Sequence, residues 1–209
     1  MTEFYIARHG QSEWNQEQRI QGQTNTQLSP IGLRQSQDLF RMLRDQPLTE
    51  IHTSSLDRSI QTAQPLAEFL KIPIQSTPLL NELAFGDLVG KYLRELDEAD
   101  QEIWDWWMED PVQRVIPGGE SYQDLFGRVN AFLGDLSWVE EDKSILIVGH
   151  LRVNQVLLGR FAGMTLWDSI SIRQPNNWLY HVRGGPRIRC AEIPTGPESD
   201  LHWREGLLL

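Results

Sequence analysis

One cysteine, Cys190, is all the chain has in 209 residues. A lone thiol has no partner within the chain, so no disulfide framework holds the fold, and a reducing, cytoplasmic setting is expected. No stretch approaches the roughly 20 consecutive apolar residues that a bilayer span requires. No charged n-region with an apolar stretch opens the sequence, so neither a membrane span nor a secretory leader is expected. Positive charge is also short: 19 Lys and Arg stand against 29 Asp and Glu, a formal net charge of −10. That balance argues against a nucleic-acid surface, because phosphate backbones attract basic patches. Neither H-E-x-x-H nor C-x-x-C occurs, and His52, His181 and His202 have no metal-ligand spacing, so no metal and no cofactor are expected. Repeats and low-complexity tracts are missing as well.

What is present reads as an ordinary globular chain, 40% apolar and 23% charged, long enough for one sizeable core. Phe4-Tyr5-Ile6-Ala7 lies within a buried strand over about 3–8, followed by a polar loop over 11–15. Ser29-Pro30 reads as an N-cap with proline at the first helical position, opening a helix toward Arg44. A short strand over 51–54 precedes a helix from about Asp57, in which Pro65 predicts a bend or break. A strand over 72–76, a helix capped by Ser121 and reaching about Trp138, a buried strand over 144–149 and a helix over 151–161 follow. Two closing strands over 178–183 and 188–193 complete the pattern. Strand–helix alternation predicts an α/β fold, a three-layer α/β/α sandwich around a mainly parallel central sheet. We read residues 1–209 as one domain with 194–209 as a C-terminal tail.

Two of these strands end in histidine: Arg8-His9-Gly10 after the first, and Gly149-His150 after the one over 144–149. In open α/β sheets ligands sit outside the carboxyl ends of the strands. Two imidazoles and an arginine there, with Arg58 at a helix start, suit a dianion that must be held and attacked.

These residues also carry a resemblance. Arg8-His9-Gly10-Gln11-Ser12-Glu13-Trp14-Asn15 resembles the R-H-G-x-S/T-x-x-N signature of the histidine phosphatase (phosphoglycerate mutase-like) superfamily. The 54–63 segment resembles its S-x-L-x-R-A-x-Q-T-A block, 81–87 its x-E-x-x-F-G-x block, 117–121 its P-G-G-E-S turn, and Gly149-His150 its last catalytic histidine. The blocks fall in the family's order. The resemblance implies a phosphatase with His9 as nucleophile, Arg8, Arg58 and a protonated His150 as the cation clamp, and Glu82 as general acid and base. It implies substrate contacts from Asn15, from Gln21 and Gly22 in a loop facing the substrate, from Ser12, and from the backbone N–H of Leu151. For Ser12 a plain helix cap is the ordinary alternative, and for Gln21 a plain turn. The family usually continues H-G where this chain has Leu151-Arg152, and leucine cannot take glycine's positive φ without strain. Arg152 reads as a solvated helix charge, with an added substrate contact as the alternative.

The expected function is metal-independent hydrolysis of a small phosphorylated metabolite through a phosphohistidine. The alternatives are a cofactor-dependent phosphoglycerate mutase and a non-catalytic phospho-ligand binding protein. Where the mutases carry basic and tyrosine side chains for the substrate carboxylate, Leu83, Phe85 and Leu93 stand here, which favours the phosphatase; Lys91 and Arg94 lie near enough to keep the mutase open. Trp104 and Trp107 share a helix face and Trp106 does not, so the Trp-rich helix and the 84–94 loop are expected to wall the pocket. For the tail, with Trp203, a loosely docked terminus is the ordinary reading and a flap over the pocket the sharper alternative. The partner expected is a small phosphate ester, with no nucleic acid and no membrane; a homodimer stays open.

Overall fold

Every strand that lines the site is built on strict alternation. Phe4 and Ile6 point to one face of the sheet and Tyr5 and Ala7 to the other; Ile145 and Ile147 likewise oppose Leu146 and Val148. Such two-sided apolar strands need cover on both faces. The computed structural model describes residues 2–136, 142–184, 187–194 and 201–209. Its strands are β1 (Glu3–Arg8), β2 (Glu50–Ser54), β3 (Ile74–Thr77), β4 (Ser144–Gly149), β5 (Trp178–Arg183), β6 (Arg187–Glu192) and β7 (Arg204–Glu205). Its helices are α1 (Glu13–Glu17), α2 (Pro30–Leu43), α3 (Asp57–Leu70), α4 (Glu98–Glu109), α5 (Tyr122–Asp135), α6 (Leu151–Ala162) and α7 (Leu166–Ser169).

The sheet order is β3-β2-β4-β1-β5-β6-β7. The strands β3, β2, β4 and β1 run parallel, and β5 to β7 add an antiparallel edge. Leu125 and Val129 of α5, Val153 and Leu157 of α6, and Trp107 of α4 fill one face. Leu39 and Leu43 of α2, with Ala63 and Leu66 of α3, fill the other. This is the three-layer α/β/α arrangement, with its parallel part in the core. None of the helices is long and apolar enough to cross a membrane, among the described residues.

Register sets the site. β1 and β4 are hydrogen-bonded neighbours with Arg8 opposite Gly149, so His9 and His150 leave the sheet side by side. Gly32, in the first turn of α2, packs against the nucleophile loop: a Cβ there would meet the Gln11 carbonyl oxygen at 2.0 Å. Ser29 caps α2 by accepting from the Gly32 N–H at 3.2 Å.

Several local expectations need correction. The helix α3 runs unbroken through Pro65. Proline has no N–H for the carbonyl four residues earlier, that of Gln61; the Ser36 hydroxyl reaches it instead at 3.1 Å, its one hydrogen shared with the Thr62 carbonyl at 3.0 Å. The one-turn helix α1 begins within the polar stretch over 11–15; it buries none of its residues and is held by a capping box between Ser12 and Asn15. β3 begins at Ile74 rather than 72. α5 ends at Asp135, with Leu136 as its C-cap; Trp138 lies outside the described residues.

Candidate active site

The C-terminal ends of β1 and β4 open into a pocket of about 420 Å³, lined on its floor by Arg8, His9, Arg58, Glu82 and Leu151. His9 is 3% exposed. Its Nδ1 lies 2.7 Å from the Gly10 carbonyl. A carbonyl only accepts, so the geometry assigns the hydrogen to Nδ1 and leaves the Nε2 lone pair free. The backbone holds this ring in place: the His9 N–H donates to the Gly149 carbonyl at 3.0 Å, and the Gly10 N–H donates to Thr62 Oγ1 at 2.9 Å. Burial, then the charges of Arg58 and Arg8, hold His9 well below the ordinary histidine range. The ring is a neutral base at neutral pH.

His150 is fully buried, its ring centroid 4.9 Å from that of His9. Its Nε2 sits 2.7 Å from Ser54 Oγ and 3.3 Å from Ser59 Oγ. Neither hydroxyl has another acceptor among the described residues, so their hydrogens are directed to Nε2, which assigns the ring's own hydrogen to Nδ1. That Nδ1 is buried with no partner. The expectation of a protonated His150 is corrected for the protein by itself: burial, Arg58, His9 and Arg8 hold it well below the ordinary range. A neutral ring with the hydrogen on Nδ1 still donates.

Arg58 spends both terminal nitrogens on carbonyls of the neighbouring loop, Nη1 to Thr24 and Nη2 to Gly22, each at 2.8 Å. Arg8 donates from Nη1 to the Gln174 carbonyl at 3.2 Å. The Nε of each is buried with no partner. Burial lowers both guanidiniums to about 10, offset in part by Glu82, so both stay charged at neutral pH. Buried donors left without a partner cost stability unless a bound group satisfies them.

Glu82 lines the pocket and uses Oε1 to accept from the N–H groups of Leu83 (2.9 Å) and Arg152 (3.3 Å). Asn15 also lines it; its Oδ1 accepts from the Ser12 N–H at 3.2 Å, which leaves its amide N–H groups as donors. Gln21 lines it with Oε1 accepting from Ser12 and Thr26, each at 2.8 Å. Gly22 lines it with a φ of 51°, and its carbonyl holds Arg58. Ser12 is not in the pocket lining: it is fully buried, and its hydroxyl both caps α1 and donates to Gln21. Leu151 opens α6 without a positive φ, so no glycine is required there.

Sequence reasoning missed the groups that hold these residues. Arg128 on α5 donates to the backbone carbonyls of Leu79 (2.8 Å) and Glu82 (3.0 Å) and pairs with Glu120 at 2.6 Å. Glu120 in turn accepts from the Ala84 N–H at 2.9 Å. Together they clamp the segment that carries Glu82. The spacing Glu120 to Arg128, two turns apart across a helix start, was the available signal. Asn176 donates to the His9 carbonyl at 2.7 Å, and Gln174 donates to the Ile6 carbonyl at 3.0 Å; nothing local marks them.

The rim carries Trp14, Arg19, Phe85, Leu93, Arg94, Trp104 and Arg152. Arg152 is therefore a pocket residue and not a solvated helix charge. Lys91 is taken by an ion pair with Asp100. Trp107 is core and Trp106 is 45% exposed, with Arg114 stacked on it. The described tail residues are not a flap. β7 extends the sheet edge along β6, and Trp203 lies 4.3 Å under the Arg189 guanidinium; none of 201–209 lines the pocket.

A family model described as the histidine phosphatase superfamily (branch 1) matches residues 4–188. The chain is 31% identical over 183 residues to the adenosylcobalamin/alpha-ribazole phosphatase of Escherichia coli (strain K12), covering 82% of this chain and 90% of that protein. It is 32% identical over 178 residues to the probable phosphoglycerate mutase GpmB of Proteus mirabilis (strain HI4320), covering 84% and 82%. The crystal structure of the alpha-ribazole phosphatase from Shigella flexneri superposes with a TM-score of 0.80 at 27% identity, over 95% of this chain and all of that one.

Proposed function

This chain belongs to the histidine phosphatase superfamily, and from that premise we propose that it hydrolyses small phosphomonoesters, without a metal, through a phosphohistidine on His9. The observation that carries the reading is a buried, neutral His9 with its Nε2 free, its ring 4.9 Å from that of His150, in a pocket it shares with the charged Arg8 and Arg58, whose Nε atoms have no partner among the described residues. His9 Nε2 attacks phosphorus and the bond from phosphorus to the ester oxygen breaks. Glu82, carrying the proton, delivers it to the departing oxygen. Water then attacks the phosphohistidine, the P–N bond breaks, and the water proton passes to Glu82, which restores the starting state. A unit charge pair at 4 Å and an effective dielectric near 20 is worth about 4 kcal/mol before desolvation. The two arginines are the charged part of the clamp on the equatorial oxygens, and Asn15 offers a further donor. The phosphatase is favoured over the mutase because Leu83 is fully buried in the core, Phe85 is apolar and Lys91 is engaged by Asp100.

The test is release of inorganic phosphate from p-nitrophenyl phosphate in the presence of a chelator, with 3-phosphoglycerate offered in parallel with and without bisphosphoglycerate. Hydrolysis in chelator, lost by more than about 10³-fold in His9→Ala, is the expected result. Interconversion of phosphoglycerates in place of hydrolysis would establish a mutase, and near-normal turnover in His9→Ala would remove the covalent route.

A further inference from the structure

Arg8 and Arg58 share the pocket floor but are held very differently. Arg58 is fixed through two terminal nitrogens, each on a carbonyl at 2.8 Å. The guanidinium of Arg8, buried and charged, makes a single hydrogen bond among the described residues, from Nη1 to the Gln174 carbonyl at 3.2 Å. Its placement therefore depends on the segment over 170–176, between α7 and β5. An open cavity of about 290 Å³ lies against that segment, lined by Arg8, Leu151, Gln155 and residues 170–175, so on that side no packing fixes it. Hydrogen bonds do. Gln155 on α6 donates to the carbonyls of Ile170 (2.6 Å) and Ile172 (2.9 Å). Arg173 is clasped through both of its backbone groups: its N–H donates to the Leu208 carbonyl at 2.7 Å, and its carbonyl accepts from the Tyr180 hydroxyl at 2.7 Å. That hydroxyl oxygen accepts in turn from the Leu208 N–H at 3.2 Å. Gln174 is 2% exposed; its Nε2 donates to the Ile6 carbonyl at 3.0 Å and its Oε1 accepts from Asn154 Nδ2 at 2.7 Å. Asn154, fully buried in α6, also donates to the Ala7 carbonyl at 3.0 Å, and its N–H donates to the His150 carbonyl at 2.9 Å. Asn176 closes the segment onto the His9 carbonyl at 2.7 Å. Burying amides is costly unless each finds its partner, and these find theirs along one stretch of chain, residues 6–9. None of Asn154, Gln155, Gln174, Asn176 and Tyr180 lines the active-site pocket.

We infer that the segment over 170–176 is a positioning strap for the phosphoryl clamp: the Gln174 carbonyl sets the Arg8 guanidinium, and Asn154, Tyr180 and the backbone of Leu208 set Gln174. Gln174, Asn154 and Tyr180 are then positioning residues, which act through Arg8 without touching the substrate. The inference rests on the phosphomonoesterase reading above. Gln174→Met keeps the length of the side chain and removes its hydrogen bonds; Tyr180→Phe removes one hydroxyl at the clasp. Each should lower kcat/KM for p-nitrophenyl phosphate and weaken binding of inorganic phosphate, Gln174→Met by about tenfold and Tyr180→Phe by about threefold, in protein that circular dichroism shows to be folded. The same substitutions made in Arg8→Lys tell positioning from general support. There the further loss should be less than about twofold, because an ammonium lacks the planar fork that the Gln174 carbonyl orients. Calorimetry reads phosphate affinity without turnover, so an absence of hydrolysis and a failure of this inference are distinguishable. Equal losses in the native and Arg8→Lys backgrounds would overturn the inference, as would native phosphate affinity in folded Gln174→Met. Should Gln174→Met not fold, Tyr180→Phe carries the same comparison, and native phosphate affinity in that variant would overturn it as well.

Discussion

His150 Nε2 lies 2.7 Å from Ser54 Oγ, the last residue of β2. This contact decides which nitrogen of His150 bears hydrogen, because the Ser54 hydroxyl has no other acceptor among the described residues and gives its hydrogen to Nε2. Ser54→Ala frees the ring to place its hydrogen on either nitrogen. It should reduce kcat by about tenfold or more while the fold persists. Steady-state kinetics on p-nitrophenyl phosphate measure this, and an unchanged kcat would mean that the tautomer is not limiting.

The low proton affinity of His9 and His150 has a sign that can be worked out. Each is lowered by burial first and then by neighbouring positive charge. As pH falls through about 6.5 the unfolded chain takes up protons at these positions while the folded chain does not, so stability drops with acidification. The slope is up to about 1.4 kcal/mol per pH unit for each histidine kept neutral. Melting temperatures from pH 7.5 down to 5.0 should show a shallower fall in His9→Asn than in the native protein; parallel curves would contradict the burial of a neutral His9.

Gly86 has a φ of 49°, and a Cβ there would meet the Pro117 carbonyl oxygen at 1.9 Å and the Gly119 nitrogen at 2.6 Å. All the contacts are backbone, so no side chain can swing away. Gly86→Ala should destabilise by roughly 2–4 kcal/mol through left-handed strain and the clash. It should also lower kcat, because the 117–120 turn supports the segment that carries Glu82. Urea unfolding and kinetics on the same preparation check both parts.

Ser36→Ala removes the donor that replaces the missing Pro65 N–H at the Gln61 carbonyl. A buried carbonyl left without a donor costs roughly 1–3 kcal/mol. A lower urea midpoint at unchanged m-value is the expected outcome, and the double variant with Pro65→Ala, which returns the N–H, should recover part of the loss.

Much of this architecture was legible because its determinants are local. The apolar runs of β1 and β4 end in Arg8-His9 and Gly149-His150, and Ser29-Pro30 and Ser121 mark helix starts by their own chemistry. The misses share a different cause. Ser36 rescues Pro65 from another helix, Arg128 holds Glu82 from 46 residues away, and Asn176 reaches His9 from 167; no window of sequence contains both partners. The fate of the tail was left open for a related reason. Trp203 is drawn to Arg189 and to the ring of His181 at the sheet edge, partners that appear only once β5 and β6 are paired. Arg152 was left between a substrate contact and a solvated charge because its spacing alone is that of any helix; its place comes from the four other arginines that line the same cavity.

The pairing of Arg8 with Gly149 across β1 and β4 holds the backbones that carry the two imidazoles one repeat of the sheet's own spacing apart, about 4.8 Å. Side-chain substitution cannot tune that gap by fractions of an ångström; only slippage of one strand past its neighbour could, and that would turn every inward residue outward. Adaptation toward new leaving groups is thereby channelled to the aromatic and arginine wall above, while the reacting centre stays on a backbone ruler that mutation does not reach.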